Sequence, residues 1–450
     1  MKQPGHPANG DIHVTTSNDP QVQDGRAGMP TVSPRRVAIA SFSGTAIEWY
    51  DFFIFGTAAA LVFNTAFFPD LSPVIGTLAS FATFGVAFFA RPVGAIVFGH
   101  FGDRIGRKRM LVLSLLLMGA ATVCIGLIPT YHQIGIAAPI LLVICRMIQG
   151  FAVGGEWGGA VLMAVEHAPP RKRAFYGSFP QAGVPAGLLL ATGAFLLVEL
   201  MPEAEMMSWG WRIPFWASGL LVIIGLYVRL KIVESPEFQK VKDENRVADF
   251  PILEVLRTQR PAFLVGVFTQ ATSLVPFYLV TVFLLSYGPS DLDLSRQTLL
   301  LSLLVACAID IFTVPAASIL ADRIGPRRML IYGAVYMALI AYPFFWLLGT
   351  GSDLAVLAAM ILIVTIGHAV TYSAVAAYVS ALFPAAVRYT GASVAYQMGG
   401  VVFSATAPFI AVAISSATDG EWALAVYLAA ACVVSIIALT VPPAAKVQHH

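Results

Sequence analysis

The chain has 450 residues, of which 58% are hydrophobic and only 12% charged, with a formal net charge of +2 and a mean hydropathy of +0.77. A soluble protein is about 25% charged, and one soluble core cannot hide this much apolar surface, so a water-soluble globular fold is excluded. The apolar runs are long and unbroken rather than short and alternating, which selects membrane-spanning helices over a barrel.

In chain order, residues 1–33 are polar, rich in Gly, Pro, Asp and Asn, and read as a disordered tail. They do not read as a signal peptide, because no short apolar core precedes a small-residue cleavage site. A helix needs about 20 apolar residues to cross a bilayer. That length places twelve spans at 37–63, 74–99, 110–130, 136–165, 174–200, 212–233, 261–287, 297–321, 328–349, 353–382, 391–415 and 421–442. The longest connection, 234–260, holds Glu234, Glu237, Lys240, Lys242, Asp243, Glu244 and Arg246. It separates a bundle of six helices over 34–233 from a second over 261–442, and 443–450 form a short tail. Cys124, Cys145, Cys307 and Cys432 all lie in apolar runs, too scattered for a disulfide framework or a metal site, and read as small buried hydrophobes.

Basic residues cluster in alternate connections: Arg35 and Arg36, then Arg104, Arg107, Lys108 and Arg109, then Arg171, Lys172 and Arg173, then Arg323, Arg327 and Arg328, then Arg388. The opposite connections carry Asp70, Glu203, Glu205, Asp291, Asp293, Asp353, Asp419 and Glu421, with Arg212 and Arg296 as basic exceptions. Positive charge stays inside, so both termini are expected in the cytoplasm and the protein in the plasma membrane. The segment GHFGDRIGRKRM (99–110) between spans two and three recurs as LADRIGPRRM (320–329) between spans eight and nine. Repeated halves place a binding site at their interface, near the midplane.

These loops resemble the GxxxDRxGRR pattern of the major facilitator superfamily. The resemblance narrows to its metabolite:proton symporter branch through GTAIEWYDFFIFG (44–56), ARPVGAIVFGHFGDRIGRK (90–108), RMIQGFAVGGEWGGA (146–160), SWGWRIPF (208–215) and LFPAAVRYTGASVAYQMGG (382–400), and it covers the chain after residue 36. It implies an all-α integral membrane protein of two pseudo-symmetric six-helix bundles. It also implies secondary active, proton-coupled uptake of an organic acid or similar polar metabolite, shikimate, α-ketoglutarate, citrate and proline or betaine being among the cargoes of the branch. The chain departs from the pattern at Ser318 (Gly preferred), at Pro326 (Arg preferred) and at Ala381, where the branch usually has Glu. The second-half loop is therefore expected to be weaker in charge pairing.

A charge at the centre of a span costs at least about 2.5 kcal/mol, so each that remains needs a reason. Glu48 and Asp51 share a face of the first span, being three residues apart. Arg91 precedes Pro92 in the second span, and Arg146, Gln149, Val153 and Glu156 fall within about 80° on the fourth, at roughly 100° per residue. A buried carboxylate beside a guanidinium suits exchange of a proton against an anion; a static ion pair is the alternative for each. The proton-coupling candidates are Asp51, Glu48, Glu156 and His368, histidine being a residue type suited to relaying protons. The substrate-binding candidates are Arg91, Arg146, Gln149, Gln181, Tyr396 and Gln397, with Gln181 expected to face the cavity on a fifth helix broken at Pro180 and Pro185. Asp310, inside the eighth span, has no role assigned by the pattern. The resemblance assigns a gate to Gly102, Asp103, Arg104, Gly106, Arg107 and Lys108, with Asp322 and Arg323 in the second half. Asp103 is expected to cap a neighbouring helix and to pair across the halves.

Competing functions are proton-driven drug efflux on the same fold, uptake of a zwitterionic solute, and substrate sensing without transport. An enzyme is not expected, because no extramembrane segment reaches the roughly 50 residues of a small domain. No nucleotide-binding P-loop is present, so no cofactor is expected and a proton gradient is the expected energy source. The expected partners are a small metabolite, protons and lipid, with no nucleic acid, and the expected state is a monomer.

Overall fold

Lipid offers the backbone no hydrogen-bond partner, so each crossing segment must satisfy its own amides. A computed structural model describes residues 33–71, 73–231, 233–234, 238–239, 244, 250–418 and 421–441. Outside those residues lie the tail 1–32, the charged linker residues Glu237, Lys240, Lys242, Asp243 and Arg246, Asp419, and the tail 443–450.

Among the described residues, twelve long helices make up the fold. The first half comprises α1 (Pro34–Leu61), α2 (Pro73–Ile105), α3 (Arg107–Leu127), α4 (Ala137–Glu166), α5 (Arg173–Val198) and α6 (Ile213–Leu230). The second comprises α7 (Arg260–Phe283, continued by Leu284–Asp291), α8 (Arg296–Ile324), α9 (Pro326–Gly349), α10 (Asp353–Ala381), α11 (Ala385–Ala417) and α12 (Trp422–Thr440). A further helix, Pro251–Thr258, lies in the connection between the halves. All but α1 are apolar enough over their length to cross a membrane, among the described residues. The 28 residues of α1 are also sufficient to cross, but Glu48 and Asp51 at its middle lower its hydropathy. Large apolar side chains such as Phe89, Leu197, Phe312, Leu339 and Phe409 point outward, as a lipid-solvated surface requires.

Within the first half, α2 and α4 pack backbone to backbone. A side chain on Gly94 would run into the carbonyl of Phe151, and one on Gly154 into that of Arg91, so small residues permit this approach. The halves meet through equivalent helices, α2 against α11 and α5 against α8, with α4 against α11 and α5 against α10 nearer the centre. Three π-helical segments interrupt the second half: Leu279–Phe283 in α7, Ile361–His368 in α10 and Gly400–Ser404 in α11. Such segments widen the helix and free backbone groups, and they recur at functional sites. The expected break in the fifth helix is absent: α5 runs through Pro180 and Pro185 without interruption. The irregular backbone is in α7, α10 and α11 instead.

Candidate functional site

A cavity opens between α1, α2 and α4 of one half and α7 and α11 of the other. Glu48, Trp49, Arg91, Val153 and Trp157 form one wall, and Leu274, Tyr278, Tyr396, Gln397, Gly400 and Ser404 the other. It holds only about 20 Å³ of water-accessible space, room for about one water molecule, so the halves are nearly closed on it. Arg91 is held by cation–π contacts, its guanidinium carbon 4.8 Å from the Phe52 ring centre and 4.4 Å from that of Phe88. Among the described residues no ion pair involves Glu48 or Arg91. Glu156, Arg91, Arg229 and Asp51 are the charged neighbours of Glu48.

The other first-half charges lie behind this wall. The Thr122 hydroxyl donates to Asp51 Oδ2 at 2.8 Å and accepts from Gln149 Nε2 at 2.7 Å, while Arg146 Nη1 donates to Gln149 Oε1 at 3.1 Å. Arg146 also covers Phe55, 4.1 Å from the ring centre. Asp51, Gln149 and Arg146 therefore form one hydrogen-bonded run through Thr122. Glu156 pairs with Arg229 of α6 and accepts from Ser114 Oγ at 3.0 Å, and Arg229 Nη1 donates to the Leu111 carbonyl at 2.6 Å.

Aromatic rings join the halves at the cavity wall. Trp157 of α4 stacks on Tyr396 of α11 with centroids 3.7 Å apart and planes within 5°. Its indole N–H donates to Gln181 Oε1 at 2.8 Å, and Gln181 Nε2 donates to the Tyr372 carbonyl at 3.3 Å. The hydroxyls of Tyr372 and Tyr396 lie 2.7 Å apart. Gln397 Nε2 reaches across to the carbonyls of Val153 and Gly154, 3.4 Å from each. Farther into the second half, His368 Nδ1 and Asp310 Oδ2 are 2.9 Å apart, both buried, and the imidazole stacks on Tyr372 and Phe277.

The basic end of the interface is closed by two equivalent caps. Asp103, at the end of α2, accepts from the backbone N–H groups of Tyr389 and Thr390, just past the 3₁₀ start of α11 (Ala385–Val387) in its first α-helical turn, at 3.1 and 2.9 Å. Asp322, at the end of α8, accepts from those of Ala174 and Phe175 in the first turn of α5, at 2.8 and 2.9 Å. Each carboxylate meets the positive end of a helix dipole in the opposite half. Gly106 (φ +113°) and Gly325 (φ +95°) make the turns that follow, in a backbone region that favours glycine. Lys108 Nζ donates to the last carbonyl of α6 at 2.8 Å, and its counterpart Arg327 donates to the Leu439 carbonyl of α12 at 2.6 Å. Glu166, the last residue of α4, binds both Arg107 and, across the interface at 3.1 Å, Arg388. The second half lacks both members of the Arg107–Glu166 pair, with Pro326 and Ala381 at the equivalent places. These two departures from the family pattern are thus one missing ion pair.

Asp103→Asn is expected to slow transport several-fold while substrate affinity stays within about twofold. A charge-assisted hydrogen bond contributes about 1.5–3 kcal/mol, and these bonds join α2 to α11 outside the cavity lining. Parallel uptake and binding measurements check this; an equal loss in both would place Asp103 in the binding machinery.

Of the residues expected from sequence to bind substrate or protons, Glu48, Arg91, Tyr396 and Gln397 line the cavity. Asp51, Arg146, Gln149, Glu156, Gln181 and His368 do not line it. At the gate, Gly102, Asp103 and Arg107 are buried, Gly102 lying against the Tyr389 ring, whereas Arg104 and Arg323 are exposed. Sequence reasoning missed Thr122, Arg229, Trp157, Tyr278 and Tyr372. Arg229 carried a signal, as an arginine inside a span; the aromatic residues carried none that separates them from ordinary core.

Residues 41–408 match the sequence model of the Major Facilitator Superfamily. The chain is similar to the shikimate transporter of Escherichia coli (strain K12), 44% identical over 405 residues, covering 89% of this chain and 92% of that protein. It is equally similar to the inner membrane metabolite transport protein YhjE of the same organism, 44% identical over 416 residues, 91% of this chain and 94% of that one. Its fold is similar to that of the proton:xylose symporter XylE bound to 6-bromo-6-deoxy-D-glucose, with a TM-score of 0.70 and 17% identity over 90% of this chain and 94% of that one.

Proposed function

The chain belongs to the Major Facilitator Superfamily, a multi-pass membrane transporter rather than an enzyme, and on that premise we propose that it takes up a small organic acid together with protons. The observation that carries this reading is the presence of one carboxylate, Glu48, and one guanidinium, Arg91, as the charged groups of the cavity wall. Protonating the acid leaves the positive charge of Arg91 unbalanced and so favours an anion, and the anion's departure favours release of the proton, which is coupling by charge balance. The similarity to a shikimate transporter supports an organic acid as cargo.

Alternating access follows from the two caps. With Asp103 on α11 and Asp322 on α5, the basic end is shut; breaking both lets the halves rock about the cavity. The basic end faces the cytoplasm of a plasma-membrane protein, by the positive-inside rule. A reporter fused to either terminus is expected to be active only in the cytoplasm; an external C-terminus sinks this orientation. The transporter acts as a monomer on the proton gradient alone, without cofactor. In proteoliposomes, an interior-alkaline pH gradient is expected to concentrate shikimate, and a protonophore to abolish the accumulation. Accumulation that follows sodium and ignores pH would overturn the symport reading.

A further inference from the structure

Apart from Asp103, Arg107 and Glu166 at the basic end, the first half buries six charged side chains among its described residues: Glu48, Asp51 and Glu156 against Arg91, Arg146 and Arg229. Three carboxylates balance three guanidiniums. In a low-dielectric interior any imbalance is costly, so the count constrains what else can enter. The pairings divide the six. Glu156 is taken by Arg229, Asp51 is engaged by Thr122, and Arg146 is bound to Gln149. Glu48 and Arg91 alone of the six line the cavity. Among the described residues the second half lines the cavity with uncharged groups, Leu274, Tyr278, Tyr396, Gln397, Gly400 and Ser404, and the phenols of Tyr372 and Tyr396 neighbour Glu48. Asp310 and His368 hydrogen-bond each other and do not line the cavity.

We infer that the cavity takes one monovalent carboxylate with one proton per cycle, so that the loaded, occluded protein carries no net charge at the site. The inference rests on the proton-symport reading and adds the charge class and stoichiometry of the cargo. One proton on Glu48 leaves the six-residue cluster with a single positive charge at Arg91, and one carboxylate cancels it. A dicarboxylate would leave one negative charge and a tricarboxylate two, with no second acid on the cavity wall to take up a further proton. A zwitterion would leave the positive charge uncancelled. The remaining polar groups of the wall, the Tyr278 and Ser404 hydroxyls and the Gln397 amide, suit hydroxyl groups on the cargo. Trp49 and Trp157 offer apolar faces to its carbon frame.

The test is uptake into proteoliposomes of labelled shikimate (a hydroxylated monocarboxylate), succinate, citrate and glycine betaine, each under an imposed pH gradient and, separately, under a potassium diffusion potential set with valinomycin. Shikimate is expected to accumulate with the pH gradient and to respond less than about twofold to the potential, whereas one uncompensated charge would change equilibrium accumulation by about 50-fold per 100 mV. Succinate, citrate and betaine are expected to enter at no more than about a tenth of the shikimate rate, the cost of one unbalanced charge being worth at least a factor of ten. Comparable pH-driven entry of any of those three, or potential-driven accumulation of shikimate, overturns the inference and leaves proton symport standing. Failure of all four to accumulate with the pH gradient overturns the symport reading itself.

Discussion

Replacing Glu48 by glutamine is expected to abolish uphill accumulation of substrate while leaving exchange of labelled for unlabelled substrate in place. Glu48 is the carboxylate of the cavity wall and faces Arg91 there, whereas Asp51, one turn along α1, is tied to Thr122 behind that wall. Glutamine keeps the shape and cannot carry the proton. At one proton per substrate, a pH difference of one unit supports about tenfold accumulation, and the variant is expected to stop near equal concentrations on the two sides. Exchange survives because it needs no net proton movement. Gradient-driven uptake and counterflow in the same proteoliposomes separate the two. Should Glu48→Gln still concentrate substrate and Asp51→Asn fail to, the proton site lies one turn deeper, at Asp51. Because the two acids share a face of α1, both variants belong in the measurement.

Replacing Arg229 by methionine is expected to cost about 3–5 kcal/mol of stability, the usual effect of removing one partner from a buried ion pair. Arg229 is 3% exposed and Glu156 fully buried, so losing the guanidinium leaves Glu156 with only the Ser114 hydroxyl. Thermal unfolding in detergent should fall sharply for Arg229→Met and recover in large part for the double variant Glu156→Gln/Arg229→Met, which removes both charges. A single variant within about 1 kcal/mol of the parent would show that the pair carries little stability. The double variant also separates two roles for Glu156. Retained pH-driven accumulation makes the residue a structural partner of α6, and lost accumulation makes it part of the proton path.

Much of the fold is legible along the chain because lipid allows few solutions. A span must be helical, about 20 residues long and apolar, and each of these is a local property. The limits of α4, Ala137–Glu166, and of α10, Asp353–Ala381, therefore fall within a residue of those expected. The duplicated loops are also local, and they marked the equivalent ends of α2 and α8 correctly. The breaks were less legible. Proline drew the expectation to α5, but a proline inside a buried helix is accommodated by its neighbours, whereas the π segments of α7, α10 and α11 carry no such marker.

What the sequence by itself determined was the set of helices, their duplicated arrangement and the list of charged residues that must lie inside them. Only the tertiary structure decided which of those charges meet. Helical periodicity places Glu48 and Asp51 on one face of α1, but it cannot say that the first reaches a cavity and the second a threonine 71 residues away. It offers Glu156 as a proton carrier without showing Arg229, 73 residues on, beside it. It gives Asp103 a helix to cap without showing that the amide it meets, that of Tyr389, lies 286 residues later, in the other half. The reason is physical. Hydropathy and periodicity act within one helix and are set by its own residues. The partner of a buried charge is set by which helix faces pack together, and that depends on the shapes of all twelve at once.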